Sequence, residues 1–306
     1  MRTLGALSQP GLKAALHHGG LRIAVGPYVY CIRSELPIVQ RGLETLYRDF
    51  PLADEQGFAD YNIALRASSL VHRLRRKTDF YLDDQIPFNR IENAHGYAFL
   101  EWGMNWCVSV SANEYLKLHS SVVAKDGVAL IMPGLPGAGK STLCAALALT
   151  GWQVLSDEHA LVLLDAPRVV PLNRPVSLKN ESIGVIRDFA PDAEFGPMTE
   201  DTHKGTVAHM KADLHPASHT CTPIDARLMI FPQFQSGSPV MIKRRSRAES
   251  FMFAAHHSFN YSLLSEAGFR SMGRLLDAVD CYDLRYSQLD GALEFINELH
   301  AEVSAR

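Results

Sequence analysis

The amino-acid sequence predicts an α/β fold in two parts, a larger one over residues 111–306 and a smaller α+β one over residues 1–110. Three observations carry the prediction. Stretches with strand and helix periodicity alternate through the second part. A glycine-rich loop, Gly134 to Ser141, sits between an apolar strand and a helix. An acidic pair, Asp157-Glu158, follows one helix and one short strand later. A chain of 306 residues also has room for about two domains, at roughly 150 residues each.

Taken in order, residues 21–33 (LRIAVGPYVYCIR) are rich in β-branched and aromatic side chains and predict a strand pair. Apolar residues at helical spacing over 36–48 predict a helix that stops before Pro51. Residues 60–67 and 78–88 read as short strands, and 93–106 as a helix. No spacing in 1–110 points to catalysis, so acceptor recognition is its expected use. Strands follow at 116–124 and 128–133. Lys125-Asp126-Gly127 joins them, since Asp-Gly suits the positive φ of a tight hairpin turn. A helix then runs from about Ser141 to Thr150, and Gly151 closes it as a left-handed cap. Residues 152–156 and 160–164 are strands, with the acidic pair between them. Residues 165–225, rich in Pro, His, Asn and Gly, predict mostly loop with a short helix near 180–189. The remainder reads as strands at 226–234, 239–244 and 281–287 and helices at 246–257, 262–277 and 289–303. The apolar stripe of the last helix is a core-packing face.

Gly134-Leu135-Pro136-Gly137-Ala138-Gly139-Lys140-Ser141 matches G-x-x-x-x-G-K-[ST] at every required position. Glycines let successive backbone N–H groups turn inward and form an anion-binding nest. The helix that begins at Lys140 adds its positive dipole end. Gly134, Pro136, Gly137, Ala138, Gly139, Lys140, Ser141 and Thr142 are therefore the candidate nucleotide-binding residues. Lys140 is the partner expected for the β- and γ-phosphates, and the Ser141 hydroxyl for Mg²⁺.

Asp157-Glu158 closes a strand expected to run parallel to the strand before the loop, so its end returns to the loop's side of the sheet. Carboxylates there can hold Mg²⁺ or accept a proton from an attacking hydroxyl. His119 lies on the strand that the Asp126-Gly127 hairpin pairs with the loop's own strand. A histidine in a strand is also an ordinary packed residue.

With these three features in order, the chain resembles the catalytic core of HPr kinase/phosphorylase. The matching pieces are His119-Ser-Ser-Val-Val, Gly134 to Ser141, and Ser156-Asp157-Glu158-His-Ala-Leu-Val. It looks most like the HprK-related kinase A group of bacterial peptide-modification clusters. Arg174-Pro-Val-Ser-Leu-Lys-Asn180-Glu-Ser-Ile and Lys204-Gly-Thr-Val-Ala-His209 also look like that group. The likeness is carried by about 115–210. It implies an HPr kinase-like P-loop nucleotide-binding core that uses ATP and Mg²⁺. It implies transfer of the γ-phosphate to a Ser or Thr hydroxyl of an acceptor protein or precursor peptide. Asp157 would accept the proton. Glu158, with Asp157 and Ser141, would bind Mg²⁺, and His119 would orient Asp157 and set its pKa. Glu158 departs from the family's second Asp, and the family's C-terminal signature for oligomer contacts and reverse phosphorolysis is not evident. A homo-oligomer stays open.

Phosphoryl transfer needs positive charge around the transferred group. Arg174, Lys179 and Lys204 are the candidates besides Lys140, and Lys179 and Lys204 are favoured by the resemblance. Long polar loops such as 171–221 are often lids or acceptor-binding elements. Asn173, Asn180 and Thr206 offer hydrogen bonds there. His215, His219 and Cys221 have a zinc-like spacing but no second tight pair.

Net charge of −3 argues against a dedicated nucleic-acid binder. The basic runs Arg73–Lys77 and Lys243–Arg247 lack interleaved aromatics and read as solvated faces. No run of about 18 apolar residues predicts a membrane span. The N-terminal stretch lacks a signal peptide's apolar core, and 5 unpatterned cysteines fit a reducing compartment, so a cytoplasmic location is expected. Two other functions use the same residues. A catalytically inactive nucleotide-binding scaffold that presents a peptide is compatible with Glu158. A small-molecule phosphotransferase near phosphoenolpyruvate carboxykinase needs a Mn²⁺ site of Lys, His and Asp that the sequence does not assemble.

Overall fold

The computed structural model describes residues 2–213 and 221–305. They fall into two units, Met1–Val108 with Ser177–Leu214, and Ser109–Val176 with His215–Arg306. The chain therefore crosses between units three times. A single crossing near 110 is the sequence expectation, and it puts Ser177–Leu214 in the other part. No linker composition marks the return, because Arg174-Pro175 runs straight into a strand.

The first unit opens with α1 (Gln9–Ala14), β1 (Leu21–Val25), β2 (Tyr28–Ser34), α2 (Pro37–Leu46), β3 (Tyr61–Arg66), α3 (Leu70–Leu74), β4 (Lys77–Leu82), β5 (Ile91–Glu92) and α4 (Gly96–Ser111). The strands form one sheet in the order β1-β2-β3-β4-β5. Only the β2–β3 pair is parallel, and α2 connects those two strands. Pro37 starts α2, where a missing N–H costs nothing. Val39, Leu43 and Leu46 form its buried stripe. Gly42 completes it by having no side chain, since a Cβ there would fall 2.1 Å from the Tyr97 ring of α4. Glu101 of α4 is buried and accepts from both Tyr97 Oη (2.6 Å) and Tyr47 Oη (3.1 Å), which satisfies a carboxylate that burial would otherwise penalise.

The second unit begins with β6 (Tyr115–Lys125), β7 (Val128–Pro133), α5 (Lys140–Leu149), β8 (Gln153–Ser156), β9 (His159–Leu163) and β10 (Arg168–Val170). Asp126 and Gly127 both have positive φ in the β6–β7 turn. After β10 the chain adds β11 (Val176–Lys179), α6 (Glu181–Phe189), β12 (Thr199–Thr202) and β13 (Gly205–Met210). These strands make a three-stranded sheet in the order β11-β13-β12. The segment 165–225, expected to be mostly loop, thus carries four short strands, the start of a fifth at Ile224, and the expected short helix, α6. The strands of this sheet are short: β11 alternates over only 4 residues, and β12 reads Thr-Glu-Asp-Thr with no apolar period.

The chain then forms β14 (Ile224–Phe234), β15 (Met241–Arg244), α7 (Arg247–His256), α8 (Tyr261–Ala278), β16 (Asp280–Tyr286) and α9 (Leu289–Ser304). The large sheet runs β10-β9-β6-β7-β14-β16-β15, with β8 paired to β6 next to β9. β7, β14 and β16 are mutually parallel, so their carboxyl ends share one edge. Leu116, Leu118, Val122 and Ala124 of β6 pack with Ala254 of α7 and Met272, Leu275 and Leu276 of α8. No helix among the described residues is long and apolar enough to cross a membrane.

Candidate functional site

β7 ends at Pro133, and the chain turns through Gly134 to Gly139 before α5. Gly137 and Gly139 have φ of +81° and +89°, a region that side chains with a Cβ largely avoid. Lys140 opens α5 and is only 8% exposed. Its ammonium donates to Gly134 O (2.7 Å) and Leu135 O (3.1 Å), so it lies folded over the loop. The ends of the two parallel strands brace the loop from behind. Phe234 N–H donates to Ala138 O (3.1 Å), and Tyr286 Oη donates to Gly139 O (3.2 Å). Burial pushes the Tyr286 phenol up, so it keeps the proton this bond requires.

Ser156 Oγ accepts the N–H groups of Glu158 (3.3 Å) and His159 (3.0 Å). This side-chain turn separates β8 from β9 and places Asp157-Glu158 at the break. Both strands pair with β6, and β6 pairs with β7. Ser120 of β6 is in register with Pro133, and its N–H donates to Glu158 O (3.2 Å). The acidic pair therefore lies one strand across from the start of the loop. Asp157 is buried, and its Oδ1 accepts from Ser121 Oγ (2.8 Å). Burial raises the Cys144 thiol of α5, and the Asp157 carboxylate adds to that, so Asp157 is within electrostatic reach of the helix after the loop.

His119 Nδ1 lies 3.5 Å from Glu158 Oε1. The resemblance implies Asp157 as its partner, whereas this geometry sets the imidazole beside the second carboxylate. Past Ser120, where β7 has ended, residues 257–259 take over the edge of β6. His119 N–H donates to His257 O (3.0 Å), and Phe259 N–H to Lys117 O (2.9 Å). Phe259 meets the His119 ring edge-on at 5.6 Å and lies 4.7 Å from the His159 ring with the planes tilted by 33°. Burial lowers the His257 pKa, and the charges of His256 and Lys140 lower it further. His159 is fully buried, and burial followed by the charges of Arg174, His119 and Lys117 keeps it neutral. Ser121, His257, Phe259 and Tyr286 have no counterpart among the sequence candidates. Only Ser121, two residues after His119, has a local signal; the others come from more than 100 residues away.

Ser141 and Thr142 sit in the first turn of α5. Lys140, Ser141, Asp157, Glu158 and His119 thus share neighbouring strand and helix ends of one unit. Arg174 is buried in the same unit, and Asn173 Nδ2 donates to Val154 O. Lys179 and Lys204 belong to the first unit. There Asn180 Nδ2 donates to Lys204 O (3.2 Å), and Asn180 Oδ1 accepts from Thr206 N–H (3.0 Å). Asn180 therefore ties β11 to the β12–β13 turn. His215 and His219 lie outside the described residues. Among the described residues no three His, Cys, Asp or Glu side chains gather as a metal site. Mg²⁺ does not require such a cage, because it keeps waters and phosphate oxygens and takes one or two carboxylates. In the second basic run, Arg244 pairs with Asp280 and Arg245 with Asp283, each at 2.6 Å.

No protein-family model and no curated protein matches the sequence. Among solved structures, the chain is similar to one described as the Hpr(Ser) kinase/phosphatase from Coxiella burnetii. The identity is 12%, the match covers 61% of this chain and 98% of that one, and the TM-score is 0.26. A score that low carries no argument about this chain.

Proposed function

We propose that the chain is an ATP- and Mg²⁺-dependent phosphotransferase that moves the γ-phosphate to a Ser or Thr hydroxyl of a protein or precursor peptide. One observation carries this reading. A buried carboxylate, Asp157, lies one strand across from a positive-φ glycine loop whose lysine ammonium sits on loop carbonyls. Those carbonyl bonds are exchangeable for phosphate oxygens, and the loop's backbone favours an anion. The donor set fits a magnesium nucleotide: Ser141 with Asp157 and Glu158 would hold the cation, and Lys140 with the loop N–H groups would hold the phosphates. The bound nucleotide supplies the phosphoryl group and the cation's charge. This chain's residues supply the rest. Asp157, held by Ser121, takes the proton of the acceptor hydroxyl. His119, beside Glu158, fixes that carboxylate's position.

Incubation with γ-labelled ATP, Mg²⁺ and a candidate peptide tests the proposal. Asp157→Asn is expected to lower transfer about 10²–10⁴-fold, the usual worth of a positioned base, with a much smaller loss of Mg·ATP binding, because the amide oxygen, Ser141 and Glu158 remain for the cation. Unchanged transfer in Asp157→Asn would reject the base assignment. ATP binding with no labelled acceptor would favour the scaffold reading.

A further inference from the structure

The glycine loop provides for the phosphates of a nucleotide and leaves the base unassigned. In open α/β sheets, ligands lie in the crevice beyond the carboxyl ends of the strands. The acidic pair occupies the β6 side of the loop. The other side is formed by the carboxyl ends of β14 and β16, where Phe234 and Tyr286 stand in register. We propose that Phe234 is the platform on which the base of the donor nucleotide stacks. The inference rests on the nucleotide reading given above.

Three observations support it. Phe234 is joined to the loop itself, through its N–H to Ala138 O (3.1 Å). Its Cβ lies 3.3 Å from where a Cβ on Gly139 would stand. Phe234 is 51% exposed, although Met229, Ile230 and Phe231 of the same strand are buried. An aromatic ring is left open at the point where the strand meets the loop. The ring is also held. Tyr286, 1% exposed, meets it edge-on with centroids 5.9 Å apart and planes at 75°. A ring fixed from one side and open on another is what base stacking needs. Stacking is tolerant of base identity because every base has a π-face, so Mg·ATP and Mg·GTP are expected to bind within a few-fold of each other.

The test compares two ligands on the full chain by titration calorimetry. Mg·ATP carries phosphates and a base; magnesium tripolyphosphate carries phosphates alone. Phe234→Ala is expected to weaken Mg·ATP roughly tenfold, within the range for one lost stacking contact, and to leave tripolyphosphate within about twofold. Phe234→Trp is expected to keep Mg·ATP affinity, and its added indole emission to be quenched by Mg·ATP and not by tripolyphosphate. Equal weakening of both ligands would make Phe234 a brace of the loop and overturn the proposal. Unchanged Mg·ATP affinity in Phe234→Ala would overturn it as well. If the unaltered chain binds neither ligand, the nucleotide reading itself fails and this inference with it.

Discussion

Two lysines are buried in the second unit, and they teach different things. Lys140 is 8% exposed and Lys117 is 0% exposed. Each gives its ammonium to backbone carbonyls: Lys140 to Gly134 and Leu135, Lys117 to Ser109 O at 2.8 Å. The partners of Lys140 are five and six residues away, inside the loop that precedes it. Lys117 lies in β6 with its ammonium partner 8 residues away, and its backbone is held from afar: its main-chain N–H donates to Asn260 Oδ1, 143 residues away. Burial pushes the Lys117 ammonium down to about 8, against a smaller opposing pull from Glu114. One lysine is buried by a local motif that favours anions. The other is buried by tertiary packing that disfavours its own charge.

The sharpest way to break this comparison is to remove the first ammonium. Lys140→Ala is expected to weaken Mg·ATP about 100-fold, the worth of roughly two charge-assisted contacts to phosphate. Calorimetric titration measures it. A change under about threefold would leave Lys140 no different in kind from Lys117, a buried lysine satisfied by carbonyls.

The same contrast explains how much was legible in the sequence. The loop, the helix after it and the Asp126-Gly127 turn are set by φ preferences of consecutive residues, so a linear pattern announces them. Strands β6, β7, β14 and β16 and helices α7, α8 and α9 carry clear apolar periods and lie within a few residues of expectation. The sheet β11-β13-β12 was not legible, because β11 and β12 have 4 residues each, too few to show a period, and β11 pairs with β13 across the intervening helix and β12. Within the site, Lys140, Ser141, Asp157 and Glu158 follow from spacing. His257 and Phe259 could not follow from it. They complete the edge of β6 only because β7 stops at Pro133, and no local pattern records that vacancy.

Lys117 gives a second prediction, in the opposite sense and on stability. Its folded-state pKa of about 8 lies below the ordinary 10.5. Between those values the unfolded chain holds a proton that the folded chain has released, so stability rises with pH across that window. Lys117→Met lacks this gain. The stability of the variant relative to the unaltered chain is therefore expected to fall by up to roughly 3 kcal/mol from pH 8 to pH 10.5. Urea midpoints at several pH values measure the difference. A constant offset across the window would show that Lys117 keeps an ordinary pKa, and the contrast with Lys140 would lose its electrostatic half.

The smallest expected effect comes from Tyr286, which supports the Lys140 loop without belonging to it. Its hydroxyl donates to Gly139 O, and a Cβ on Gly139 would come within 2.3 Å of that oxygen. Gly139 is therefore fixed twice, by φ of +89° and by lack of room. Tyr286→Phe removes the hydrogen bond and leaves the ring that packs on Phe234. One such bond is worth about 0.5–1.5 kcal/mol, so Mg·ATP and magnesium tripolyphosphate are each expected to weaken between about twofold and tenfold. The two must move together, because the hydroxyl touches the loop and not the base platform. Weakening of Mg·ATP alone would show that Tyr286 acts through Phe234. In that case the loop would owe its shape to glycine conformation by itself, as local a cause as the motif that announced it.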